Sequence, residues 1–289
     1  MLVAGSRKEI HRRPKPLTDV RAKLRRAAQH ISEIEAYIRS RQVPHRVKEK
    51  IQVESNEPGV AARFSLPTPI DDDLPMMVGE AIQSLRAALD YLVYDLAWID
   101  GGQVPQDQDR TLFPIVERPE GFAKAAKTAL KGLNSQHCQM LQAVQPYNGC
   151  NWTPLLQRYS NRDKHRHPVA VTWSGNCPFE ADLILNHRQQ GSGANSEDAC
   201  KIRLKLKADA KMTNAGVGDR VDLRITSGDA QGHRRECCSA ENAELSVIFD
   251  GAYYLPDGRP VLETLRLLLD GATKLVAQFE AELRAARVI

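Results

Sequence analysis

The chain has 289 residues, 42% of them apolar, with 40 Lys or Arg against 36 Asp or Glu and a net charge of +4. That length and apolar content suffice for a packed core and exclude general disorder, a collagen-like chain and a small disulfide scaffold. Apolar runs fall short of the roughly 18–20 residues that cross a bilayer, and residues 1–17 hold no apolar signal segment, so the expectation is a cytoplasmic protein with no membrane association.

The charge is uneven. Residues 1–26 hold nine Lys or Arg and only Glu9 and Asp19 as acids. The pI of 8.7 therefore describes a basic arm, residues 1–17, closed by Pro14 and Pro16. Such an arm suits RNA or another polyanion through counterion release.

Thr18 is placed to cap a helix to about Arg41, because Val20, Leu24, Ala27, Ile31, Ile34 and Ile38 recur at three and four. Lys50–Glu54 and Val60–Leu66 alternate apolar and polar around Asn56-Glu57-Pro58-Gly59, which predicts an N-terminal β-hairpin. The strongest element is a helix over 75–99, with Val78, Ile82, Leu85, Leu89, Leu92, Val93 and Leu96 on one face. Arg86 and Asp90 sit four apart at the edge of that stripe.

Thr111–Val116 reads as a short extended piece, demoted to an edge or packed loop by Pro114. Short helices are expected over 119–131, 134–144 and 152–164. Strands are expected at Val169–Trp173, Ala181–Leu185, Ile202–Lys207, Val221–Ile225 and Leu245–Phe249, with loops over 208–219 and 227–242. A last long helix, about 260–286, follows Asp257-Gly258-Arg259-Pro260.

Helices and strands thus come in blocks, which predicts an α+β fold and not a doubly wound sheet. The long helices near 18–41, 75–99 and 260–286 form a bundle in this reading. A C-terminal antiparallel sheet of about five strands stands at its side. After the arm, 18–289 reads as one domain with a sub-boundary near 168.

The six cysteines, at 138, 150, 177, 200, 237 and 238, form no C-x-x-C pair. Cys237 and Cys238 are neighbours, a poor geometry for an ordinary disulfide, and reduced thiols are expected. No Walker loop, G-x-G-x-x-G, G-x-S-x-G or H-E-x-x-H pattern occurs. Phosphate-loop enzymes, Rossmann oxidoreductases and common hydrolases are therefore disfavoured, and no cofactor is implied.

The most chemically loaded stretch is Arg158 to His167, where six of ten residues are Arg, Lys or His. Cations at a helix C-terminus are favoured by the macrodipole, so helix capping is one sufficient reason for it. A metal site built on His165, His167, Asp163, or His137 with Cys138, is opposed by the flanking Lys164 and Arg166, and no metal is expected.

Arg86-x-x-Leu89-Asp90-x-Leu92, Phe113-Pro114-Ile115, Gln145-Pro146-Tyr147 and Asn161-x-Asp163-Lys164-His165-Arg166 follow in order. In that order and spacing they resemble a group of bacterial proteins of unknown function, over about 80–170. The resemblance implies a shared fold and no activity. Arg158-x6-His165 and Arg162-x4-His167 are also similar in spacing to the Arg/His motif of HEPN-class nucleases, which would imply metal-independent RNA cleavage. There a His takes the 2′-hydroxyl proton and an Arg holds the developing phosphate charge.

Two functional readings follow. One is a binding or assembly module, with a second copy of the chain among its expected partners. In it Arg86, Asp90, Asn161, Asp163 and Lys164 form an architectural polar cluster joining the central helix to the 161–166 turn. The other is a HEPN-like ribonuclease using Arg158 or Arg162 with His165 or His167.

Overall fold

A computed structural model describes residues 16–42, 45–49, 52–54, 60–65, 70–105, 111–165, 168–187, 200–213, 220–225, 238–247 and 250–288. Most of the basic arm, Cys237, Arg166 and His167 lie outside the described residues. The architecture is α+β and rich in helix. No described helix is long and apolar enough to cross a membrane.

The chain divides into two compact units, one of Met1–Glu33, Met76–Val169 and Leu262–Ile289, the other of Ile34–Pro75 and Ala170–Val261. Helix α1 (Thr18–Arg41) contributes to both.

The first unit is helical. It holds the first part of α1, α2 (Asp73–Gly101) from Met76 on, α3 (Pro119–Lys127), α4 (Ser135–Ala143), α5 (Trp152–His165) and α6 (Val261–Ala285) from Leu262 on. The apolar stripe of α2 is fully buried from Val78 to Leu96, as period 3.6 demands. Buried Leu265, Leu268, Leu275, Val276, Phe279 and Leu283 line the inner face of α6.

Specific polar contacts tie these helices. Arg21 on α1 meets Glu280 on α6 at 2.6 Å. His137 on α4 places Nδ1 2.7 Å from Asp100 at the end of α2, and Nε2 2.7 Å from Glu282 on α6. Asn134 caps α4 by accepting the His137 N–H at 2.8 Å. Helix α6 approaches α5 so closely that a Cβ on Gly271 would lie 2.6 Å from the Trp152 ring.

Thr18 does not cap α1. It lies inside the helix, and buried Leu17 precedes it with φ +62. A leucine is rarely found in this left-handed region. Here its N–H is taken by Asp95 Oδ2 at 2.8 Å. A tertiary partner replaces the local cap.

The second unit carries the strands. These are β1 (His45–Glu49), β2 (Gln52–Glu54), β3 (Val60–Ser65), β4 (Thr172–His187), β5 (Cys200–Thr213), β6 (Arg220–Ile225), β7 (Cys238–Val247) and β8 (Asp250–Tyr254). All pairs are antiparallel. One sheet runs β1-β7-β4-β5 with β8 also on β4, and a second runs β2-β3-β6.

Strand β4 joins the two strands expected at 169–173 and 181–185 into one. It contains Pro178, which has no N–H to give to a ladder. On one side, however, β4 pairs with β8 through Asn176 and with β7 only from Phe179. The proline falls in the gap between those ladders, where on that side no bond is forfeited. The expected loops over 208–219 and 227–242 are shortened in the same way, by β5 running to Thr213 and β7 starting at Cys238. Gly251 allows β8 to lie against β4, since a Cβ there would sit 2.5 Å from the Ser174 carbonyl and 2.6 Å from the Trp173 ring.

Also in this unit, Arg41 pairs with Asp71 and lies 5.0 Å over the Tyr37 ring. Burial first, and then neighbouring Asp71, push the Tyr37 hydroxyl up to about 12.

Candidate functional site

The first unit holds the motif residues, and their geometry begins with an unpaired piece of backbone. Residues 111–116 belong to no helix or strand. Phe113 and Ile115 are nonetheless buried. A buried segment without a ladder must find other partners for its N–H and C=O groups.

Three side chains supply them. Asp90 Oδ1 accepts the Phe113 N–H at 2.9 Å, and Arg86 Nη2 donates to the Phe113 carbonyl at 2.7 Å. Arg86 and Asp90 also pair with each other at 3.0 Å. Gln145, fully buried, accepts the Val116 N–H through Oε1 at 3.0 Å. Its Nε2 donates to the Pro114 and Leu141 carbonyls at 2.9 and 3.0 Å. The R-x-x-L-D, F-P-I and Q-P-Y pieces are therefore one physical object, in which two side chains of α2 and one from the turn after α4 stand in for a missing neighbouring strand.

The fourth piece sits on α5. That helix continues through His165, one residue past the helix expected over 152–164, so the 161–166 stretch that was also read as a turn is helical as far as His165. Arg158 and Asn161 are exposed on it, and Arg158 is engaged in an interaction. Arg162, Asp163, Lys164 and His165 form its last turn, with side chains outside the described ones. One link from α2 to α5 is the Gln83 Nε2 bond to the Ser160 carbonyl, at 3.5 Å. Among the described residues, Arg86 and Asp90 meet the backbone of Phe113.

His137 is committed to two carboxylates. Its neighbour Cys138 has a thiol pushed up by burial and then by the Asp100 charge, which disfavours the ligating thiolate. Among the described residues no three His, Cys, Asp or Glu side chains are arranged so that they could hold one metal ion.

Next to the stitched segment lies an open groove of about 720 Å³, within the roughly 300–1,000 Å³ typical of small-molecule sites. One wall is the first half of α1, with Asp19, Ala22, Lys23 and Arg26. The other is α2, with Asp90, Tyr91, Tyr94 and Asp95, and Thr111 and Leu112 complete the lining. Tyr91 and Leu112 are 42% and 41% exposed, large apolar surfaces left open to solvent. Sequence reasoning passed over these residues. The available signal was the pair of tyrosines three apart on α2, off the buried stripe of the most apolar amphipathic helix.

Searches of family models, curated proteins and solved structures each returned no match to this chain.

Proposed function

We propose that this protein is a non-catalytic binding module, with Arg86, Asp90 and Gln145 as its architecture and the adjoining groove as its ligand site. The observation that carries this reading is the use of the three side chains. Each makes a hydrogen bond to the backbone of 113–116, Arg86 and Asp90 also pair with each other, and Gln145 also bonds the Leu141 carbonyl. That fixes Thr111 and Leu112 as a wall of the groove. Groups so occupied are poor general acids or bases, because a catalytic group must be free to exchange protons with a substrate. In the same reading the protein is cytoplasmic, and the basic arm is a contact for RNA or another polyanion.

The test is a thermal-shift screen of small metabolites against the wild type and Ala22→Phe, which fills the groove from α1. Compounds that stabilise the wild type should lose their effect in the variant. A screen without stabilising compounds, or one whose hits ignore the variant, removes the reading.

The HEPN-like ribonuclease stays as the second reading because α5 extends to His165. Arg158 and His165 then share one helix seven residues apart, which puts their backbone positions on nearly the same side. RNA cleavage that resists EDTA and vanishes in His165→Ala/His167→Ala would favour it.

A further inference from the structure

The groove has a charge pattern that narrows its ligand. Two of its three carboxylates are already engaged. Asp90 serves Arg86 and the Phe113 N–H. Asp95 accepts the Leu17 N–H at 2.8 Å and has a further interaction. Asp19 lies in the first turn of α1, where the helix dipole favours a negative charge.

The two cations are in the opposite condition. Lys23 and Arg26 stand one turn apart on the α1 wall, and neither has an ion-pair partner among the described residues. Lys23 holds its ammonium 5.7 Å from the centroid of the Tyr91 ring, close enough for a cation–π contact. Tyr94 lies edge-on to Trp98 at 6.3 Å, which fixes its ring at the groove wall.

We infer that the groove binds a small organic monoanion with a flat apolar body, of the aryl carboxylate class. The carboxylate would sit against Lys23 and Arg26, and the body would cover Tyr91 and Leu112. Covering those two exposed surfaces removes apolar area from water. The class is monoanionic for a Coulombic reason. Lys23 and Arg26 share the groove with the carboxylates of Asp19 and Asp95, while Asp90 is paired with Arg86. A dianion or polyanion would meet repulsion that a single carboxylate largely escapes.

This inference rests on the binding-module reading, and a size-matched series separates the two. The probes are indole-3-acetate, tryptamine, indole and inorganic phosphate, titrated into the full chain with amide chemical shifts followed at 19–26, 90–95 and 111–112. Indole-3-acetate should bind at least tenfold tighter than tryptamine or indole, and inorganic phosphate should bind more weakly still. Lys23→Gln/Arg26→Gln should erase the preference for the anion while leaving the melting temperature unchanged. Tyr91→Ala should weaken all three aryl compounds.

If tryptamine or indole binds as tightly as indole-3-acetate at the same resonances, the monoanion class is overturned and the binding module stands. Phosphate binding as tightly as the aryl carboxylate overturns the apolar half of the argument. No shift at the groove with any probe overturns the inference and counts against the module.

Discussion

Asp90 is the residue on which the architectural reading can be broken. Replacing it by alanine removes the acceptor of the Phe113 N–H and the partner of Arg86. A hydrogen bond to a charged acceptor is worth about 1.5–3 kcal/mol, and breaking a fully buried ion pair costs about 3–5 kcal/mol. The two side chains are 15% and 16% exposed, and Arg86 keeps the Phe113 carbonyl at 2.7 Å. Partial solvation and that remaining bond reduce the penalty, and we expect Asp90→Ala to cost about 2–4 kcal/mol. Asp90→Asn keeps an acceptor for Phe113 but loses the charge, and should cost about half as much.

Arg86→Ala alone should cost about 2–3 kcal/mol, and the double variant less than the sum by about 1–2 kcal/mol, because the second loss strands no further charge. Urea midpoints multiplied by the m-value give these energies. Amide exchange gives the location. Phe113 should exchange faster in Asp90→Ala, while Val116, held by Gln145, should change less. A cost under about 0.5 kcal/mol for Asp90→Ala, or additive single effects, would refute the account of 113–116.

Three further outcomes follow from the packing. His137→Ala should cost about 2–4 kcal/mol in urea unfolding, since Asp100 and Glu282 lose their shared partner and a cavity opens beside Phe279. Gly271→Ala should lower stability by about 1–3 kcal/mol and shift Trp152 fluorescence, as the added methyl meets that ring at 2.6 Å. For Tyr37 the folded protein holds the proton more tightly than the unfolded chain, so its contribution is intact below about pH 10 and is lost as pH rises through about 12. Tyr37→Phe should flatten that part of the alkaline stability profile relative to the wild type.

The helices were legible because their signal is local. Leu89 and its neighbours repeat with one period along 75–99, and each is buried. The strands were less so. Whether Pro178 interrupts a strand depends on what lies beside it, and β8 and β7 arrive from far along the chain. The same holds for the start of α1, where Leu17 is held by Asp95 and not by a neighbour in sequence.

The motif pieces were visible as a pattern, and Arg86 with Asp90 as a pair. What they do was not visible, because their target is the main chain of Phe113, which carries no residue code. Gln145 gave even less sign of its three bonds, since a glutamine in sequence usually means surface. The groove depends on two helices passing each other, a property of neither alone.

The pairing of β1 with β7 also sets an order of events. His45–Glu49 has its partners at 243–247, and Val60–Ser65 has its partners at 220–225. During synthesis, at roughly 5–20 residues per second, the early strands must wait for the last third of the chain before either sheet can close. For that interval their edges are open to pairing with other chains. Slow refolding and sensitivity to truncation before Val247 are the expected consequences of this connectivity. A chain stopped after Ile225 would complete the β2-β3-β6 sheet and leave both β1 and the β7 side of β4 without a neighbour.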